Sequence, residues 1–284
     1  GAVGSATADG SGNWSITTTT LTEGAHQLSA QQTDQFGNGP SIASVALTVS
    51  VDTTAPGIPT SVDLVAASDS GSSSTDDITN AVIPTILGFA DPGFSISLSS
   101  TLDGTVATTT TAGNGVWVVA ANPLSEGVHV LTATSTDVAG NVSAASASLT
   151  VTVDITAPTV SVDTLETNDA TPALTGTVDD SNATISIAVD AQTVSATNNG
   201  LTWSLADNAL TLLADGVHDV TATATDVAGN SASDGTGSEL TIDTTPPAAP
   251  SAADLAAASD SGSSDTDDIT NINTASVSGT AEAG

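Results

Sequence analysis

Not one lysine or arginine occurs in these 284 residues, against 32 acidic side chains and three histidines, a formal charge of −32. Nothing in the chain can neutralise that charge except histidine or a bound cation. Duplex nucleic acid and anionic membrane surfaces are therefore poor partners, because holding phosphate depends on Lys or Arg releasing counterions. Cysteine is also absent, which removes disulfide frameworks and thiolate chemistry. Domains of modest size without disulfides need a good core or a metal. Aromatic residues amount to three Trp and three Phe, too few for a box of exposed rings around a sugar. No apolar run approaches the ~20 residues of a membrane span, and no leader peptide is visible. The first residue is Gly rather than Met, which reads as a segment cut from a longer chain. High acidity alone would suggest disorder. Here 38% of residues are apolar and alternate with Thr and Ser, the pattern of folded β-structure.

What is present is one unit written three times. Its tryptophan falls at Trp14, Trp117 and Trp203. Leu-x-(Glu/Asp)-Gly-x-His follows, ending at His26, His129 and His218. Thr-Asp-x-x-Gly-Asn then gives Asp34 and Asn38, Asp137 and Asn141, Asp226 and Asn230. The last anchor, (Val/Ile)-Asp-x-Thr-x-Pro, starts at Asp52, Asp154 and Asp243, spaced by 102 and 89 residues. That period exceeds the ~20–50 residues of a solenoid or propeller repeat and matches a small autonomous domain. The expected division is 1–51, the later part of one unit; 52–153 and 154–242, two complete units; and 243–284, the opening of another.

Residues 52–153 read as seven strands, near 58–66, 81–89, 94–101, 105–111, 116–120, 128–136 and 143–153. Turn signals separate them at sandwich spacing, among them Pro92-Gly93, Asp103-Gly104 and Asn114-Gly115. No stretch holds a helical period. The expected fold is all-β: tandem seven-strand antiparallel β-sandwiches placed end to end as a rod. Alternation puts Trp14 with Ile16, Trp117 with Val119 and Trp203 with Leu205, so each ring should enter its own core, contributing on the order of 1.5–3 kcal/mol. The histidines share faces with Leu28, Leu131 and Val220 and should cap the lip of the core. A metal-ligand or general-base role, helped by Glu23, Glu126 or Asp215, is the alternative. A catalytic group repeated identically in every unit argues against it, and no enzyme is expected.

The carboxylates crowd the unit ends. Residues 63–80, DLVAASDSGSSSTDDITN, recur as DLAAASDSGSSDTDDITN at 254–271. The middle unit lacks most of this loop: Asp154 to Gly176 spans 22 residues where Asp52 to Gly88 spans 36. The sandwich does not need the loop, so it is an addition with its own purpose. Asp69, Asp76, Asp77 and Asn80 offer hard oxygens on a flexible Gly/Ser backbone, suited to Ca²⁺ with its 6–8 oxygen ligands, one of them from a distant residue such as Asp52. The last copy offers Asp260, Asp267 and Asp268, with Asp265 added. A solvated acidic loop that only aids solubility is the plainer alternative. The loop should lie close to the previous unit. The joint before Asp154, beside the shortened loop, should then depend least on calcium.

Together the tryptophan, Leu-x-(Glu/Asp)-Gly-x-His, Thr-Asp-Val-Ala-Gly-Asn and Asp-x-Thr-x-Pro anchors resemble the bacterial immunoglobulin-like repeats of giant surface adhesins secreted by type I systems. The resemblance covers essentially the whole chain. It implies extracellular, cell-surface sandwiches in long arrays, flanking repeats as neighbours, and Ca²⁺ at the joints. Carried onto this chain, the implied metal residues are Asp34, Asp52, Asp69, Asp76 and Asp77; Asp137 and Asp154; and Asp226, Asp243, Asp260, Asp267 and Asp268. Only Glu166, Asn168 and Asp169 remain near the missing loop. The implied function is an extender that projects a distal binding region. The alternatives are a glycan- or surface-binding module, and a filament in which one chain's tail completes the next chain's head.

Overall fold

The computed structural model describes residues 1–264 and 266–283; Asp265 and Gly284 lie outside them. Every regular element among these residues is a β-strand, as the alternation of Thr and Ser with Val and Leu requires. None is a helix long and apolar enough to cross a membrane. The chain forms two compact units. The first comprises 1–157 together with 225–231, and the second 158–224 with 232–284.

In 52–153 two sheets enclose a core. One orders Thr60–Leu64, Thr85–Phe89 and Val116–Ala120. The other orders Ile78–Thr79, Leu149–Val153, Gly127–Thr136, Ser95–Ser100 and Gly104–Thr110. Neighbours are antiparallel except Ile78–Thr79, which runs parallel to the end of Leu149–Val153. The expected seven strands are thus joined by an eighth, short one at Ile78–Thr79. It forms because the chain leaving the acidic loop is drawn in beside the final strand. The last strand is also shorter than its sequence pattern, starting at Leu149 rather than 143.

Ile86, Ile96, Leu98, Leu131, Val151 and Val153 are fully buried around Trp117. The ring lies over Gly88, its cross-strand partner, where any Cβ would collide with it. Trp203 and Gly176 repeat that pairing in the next sandwich. There the indole Nε1 donates to the Ser161 carbonyl at 2.8 Å. Trp117 Nε1 has no partner, and the strand on that side carries a bulge with Ser61 at φ 50°.

The sandwich of 154–242 is built differently at its edges. Leu165–Thr167, Leu240–Ile242 and Gly216–His218 form one sheet. Leu174–Thr177, Thr202–Leu205, Gln192–Asn198, Thr184–Val189, Val220–Thr225 and Ser231–Ser233 form the other. The strand after Gly216 breaks at Asp219, where the Val220 amide donates to the buried Glu239 carboxylate at 3.1 Å instead of to backbone. Nine short strands therefore replace the seven-strand pattern expected here.

Residues 1–51 hold one two-stranded sheet, Gly24–Leu28 with Leu47–Val51. Residues 243–283 hold another, Asp254–Leu255 with Val277–Ser278. Trp14 is 58% exposed, against the expectation that it enters a core. Trp14 lies outside any strand, and the one sheet of 1–51 leaves it uncovered.

Candidate functional site at the acidic loop and repeat joints

All three histidines serve the same local purpose. The ring Nε2 lies 2.7 Å from the Thr22 carbonyl at His26, 2.7 Å from Ser125 at His129 and 2.8 Å from Ala214 at His218. A carbonyl only accepts, so Nε2 carries the proton and the ring staples the turn that the preceding Gly opens. His129 is fully buried beside Leu131 and Ala133, with Ser100 Oγ 2.8 Å from Nδ1. His218 faces the Asp190 carboxylate at 3.1 Å. The Ala214 carbonyl first, then Asp190, raise its pKa against the opposing effect of burial.

The Thr-Asp-x-x-Gly-Asn turn is self-contained. Asp137 Oδ1 accepts the amides of Ala139 and Asn141, both at 2.9 Å, and Oδ2 accepts the Asn141 carboxamide. Asp34 and Asp226 hold their asparagines in the same way. The hydrogen bond from the asparagine side chain comes first in holding the Asp34 and Asp137 carboxyls below their ordinary range. These three aspartates thus spend their oxygens largely on their own turns.

The asparagine reaches further. Asn141 Nδ2 donates to the Asp52 carbonyl at 3.0 Å, and Asn230 Nδ2 to the Asp154 carbonyl at 2.8 Å. The same linkers are held from the preceding repeat. Glu23 accepts the hydroxyl of Thr53 at 2.6 Å, Glu126 that of Thr156 at 2.6 Å, and Asp215 those of Thr244 and Thr245, both at 2.7 Å. Threonine bonds first lower the pKa of Glu23 and of Asp215. The aspartates that open each linker cap it: Asp52, Asp154 and Asp243 accept the amide two residues on. Sequence reasoning missed the linker role of Glu23, Glu126 and Asp215. The Thr one or two residues after each linker Asp was the available signal.

The acidic loop lies at the exit of its own repeat, not at the entry beside the previous one. The Thr152 amide donates to Asp77 O and the Asp154 amide to Thr79 O, both at 2.9 Å. The short parallel strand is what turns the loop this way. Asp154, rather than Asp52, is therefore the linker aspartate nearest Asp69, Asp76, Asp77 and Asn80, and the joint before Asp154 carries a long loop. The loop position on which the expected order of joints rested is therefore the opposite of the one observed. In the shortened repeat Asp169 instead accepts the Thr171 amide at 2.9 Å, while the Asp243 amide pairs with Thr167 O.

Within the loop Asp69 is buried, with Oδ2 3.4 Å from the Asp77 amide and Oδ1 lacking any partner. Asp77 sits at φ 58°, and Asp76 caps the Ile78 amide. Burial, then the charges of Asp63, Asp69 and Asp76, raise the Asp77 carboxyl above its ordinary value. Asp63 was not foreseen as a member of this group. The last copy reproduces the arrangement: Asp260 is buried with Oδ1 unpartnered, its Oδ2 faces the Asp268 amide at 3.4 Å, and Asp268 has φ 57°. Asp267 caps Ile269. An unpartnered buried carboxylate oxygen among like charges, in a chain without Lys or Arg, suits a hard cation. Among the described residues, no three acidic or histidine side chains are already assembled as a metal-binding group.

The loop also receives a turn. Ser70 Oγ donates to Ala228 O at 2.7 Å and the Ser72 amide to Val227 O at 3.2 Å. Gly71, at φ 91°, approaches the Val227 carbonyl so closely that any Cβ would collide with it. Ala228 is fully buried as a result.

Comparison with known proteins agrees with this architecture. The family model described as bacterial Ig-like domain matches residues 1–53, 55–155 and 159–244. A second, bacterial Ig-like domain (group 3), matches 113–201. No curated protein matches the chain. Among solved structures, the fibronectin(III)-like modules of Clostridium thermocellum CbhA are 15% identical, with TM-score 0.37, covering 64% of this chain and 94% of theirs. A tetra-tandem repeat in the extending region of a large adhesion protein is 25% identical, with TM-score 0.31, covering 87% and 68%. The BSP domain of a biofilm associated protein is 15% identical, with TM-score 0.24, covering 66% and 30%. Three successive matches that take up most of its length establish that the chain belongs to the bacterial Ig-like domain family.

Proposed function

We propose that the chain is an extender segment of a bacterial surface adhesin, carrying a distal binding region away from the cell, with calcium tightening its joints. The observation that supports the reading best is the two-sided hold on the Asp52 and Asp154 linkers. The Asp154 linker is gripped by Glu126 of one repeat and by Asn230 of the next. A spacer repeats every feature, and here the histidine staple, the turn and the linker hold all recur. A catalytic or recognition site would break the pattern once.

The residues that would hold Ca²⁺ are Asp69, Asp76 and Asp77 with Asp63, and in the last loop Asp260, Asp267 and Asp268. The ion would supply positive charge to a group that has none, answering the unpartnered Asp69 and Asp260 oxygens. These loops, and not the turn aspartates, are the principal sites in this reading. A ligand at ~100 times its Kd adds only ~2.7 kcal/mol per site, so chelation should loosen the joints while the cores around Trp117 and Trp203 stay folded. Calcium titration of the intact chain, paired with small-angle scattering in calcium and in chelator, tests both halves. Unchanged scattering despite measured binding would remove the tightening role. No binding at millimolar calcium would remove the metal.

A further inference from the structure

The Ser-Gly-Ser segment of the acidic loop has a feature that neither extension nor calcium explains: it seats the tip of a turn, backbone against backbone. Two turns of identical sequence, Thr-Asp-Val-Ala-Gly-Asn, stand in different surroundings. Ala228 is seated against Ser70, Gly71 and Ser72 and is fully buried, whereas Ala139 is exposed. Both turns keep the bonds from Asn to Asp, and the loop contact is what sets the second apart. The approach is backbone to backbone, since a Cβ on Gly229 would lie only 3.1 Å from Gly71 Cα. A methyl with no remaining exposure leaves no volume for a larger group. The first turn of the chain carries Phe36 at that position, 81% exposed.

The loop at 256–271 presents the same construction without an occupant among the described residues. Asn271 N donates to Ser261 Oγ at 2.9 Å, as Asn80 N does to Ser70 Oγ at 2.8 Å. Ser259 accepts the Ser276 amide as Ser68 accepts that of Thr85. A Cβ on Gly262, unlike one on Gly71, would meet nothing. Ser261 Oγ is turned to Asn271 Oδ1 at 2.8 Å, where Ser70 Oγ donates to Ala228 O.

We propose that Ser70-Gly71-Ser72 and Ser261-Gly262-Ser263 are sockets selective for a Thr-Asp-x-Ala-Gly-Asn turn of an Ig-like repeat, with the residue before the turn glycine deciding entry. Ala is admitted and Phe excluded, so turn and loop sequences together specify which repeats lock to which. This goes beyond the extender reading and does not require calcium.

Amide hydrogen exchange on the full chain tests it, with the Ser72 amide as reporter because it bonds Val227 O. Ala228→Phe should speed Ser72 exchange at least ~tenfold while amides of Ser95–Ser100 keep their protection. Ala139→Phe should leave Ser72 unchanged. Should Ala228→Phe unfold the chain, Gly71→Ala probes the same contact from the loop side and should release Ser72 equally. Ser72 protected in the folded variants overturns the socket, as does its release by Ala139→Phe. For the second socket, a cyclic peptide carrying Thr-Asp-Val-Ala-Gly-Asn should shift the Gly262 and Ser263 amide resonances at millimolar concentration. Its Thr-Asp-Gln-Phe-Gly-Asn counterpart should not. Shifts with both peptides, or with neither, overturn that assignment.

Discussion

Asn141 reaches across 89 residues of sequence to donate its carboxamide to the Asp52 carbonyl at 3.0 Å, while the same Nδ2 holds Asp137 at 2.9 Å. One side chain thereby closes its own turn and fixes the linker at which its repeat begins. Asn230 does the same for Asp154. Asn38 holds only its own Asp34 among the bonds of its carboxamide.

Replacing Asn141 or Asn230 with Ala should therefore cost more than replacing Asn38. Each linker hydrogen bond is worth about 0.5–1.5 kcal/mol beyond the turn. Urea unfolding of the three variants gives the comparison. Equal losses would mean that the linker bond adds nothing.

The tryptophans should separate by environment. Trp203→Phe deletes the donor that answers Ser161 O, leaving a carbonyl unpaired, whereas Trp117→Phe removes a donor that had no partner. The first should be the more destabilising by about 1–3 kcal/mol. Trp14→Phe should change stability by less than ~0.5 kcal/mol, and acrylamide should quench Trp14 fluorescence before that of the other two. Global unfolding followed by fluorescence and circular dichroism checks all three.

Gly88→Ala and Gly176→Ala should each destabilise by about 1–3 kcal/mol, because the new methyl enters the space of the indole on the neighbouring strand and, at Gly176, first that of the Ser161 carbonyl. Thermal melting of each variant reads the loss. Trp117→Leu in the Gly88→Ala background should recover part of it.

The His218 pKa is raised on folding, by the Ala214 carbonyl first and then by Asp190. Its contribution is fully present below the unfolded value near 6.5 and disappears as pH rises through the folded value. Stability of the 154–242 sandwich should fall with rising pH in that window, and Asp190→Asn should flatten the slope. A pH series of urea melts with that variant decides.

Asp77 has the opposite character for an acid: burial and three neighbouring carboxylates raise its pKa. Its ionised form is disfavoured in the fold, and this penalty is relieved as pH falls through the folded value. In chelator, Asp77→Asn should therefore stabilise the chain. In calcium it should lower the measured stoichiometry, and more than Asp169→Asn does. Destabilisation in chelator would contradict the charge crowding.

Much of the fold could be read from period alone. Alternation placed His129, Leu131 and Ala133 on one buried face and Trp117 opposite solvent, because a strand leaves only two choices for each side chain. It also assigned Trp14 to a core face, yet Trp14 lies in no strand and stays exposed, because burial needs a second layer, which alternation does not report. The direction of the acidic loop was not legible, since it hangs on two residues, Ile78 and Thr79, pairing with a strand more than seventy positions away. The linker hold escaped for a similar reason. Glu126 stands three residues from His129 in sequence, which suggested an imidazole partner, yet its contact is Thr156, 30 residues on. Asp69 and Asp77 were legible as a group because the loop keeps them local, whereas Asp63 joins it from the preceding strand.

The short parallel strand has a consequence under load. Once Thr60–Leu64 has yielded, a pull that separates Asp52 from Asp154 draws Ile78–Thr79 and the end of Leu149–Val153 in opposite directions along their common axis. The bonds from Thr152 to Asp77 O and from Asp154 to Thr79 O lie across that axis and must give way together, in shear, rather than opening one at a time. In the next repeat Leu165–Thr167 against Leu240–Ile242 stands in the same position, tied by Leu165 to Glu239 O and by Asp243 to Thr167 O. Each sandwich thus meets traction at its exit with strand ends in shear, so resistance to tearing arises where the chain leaves.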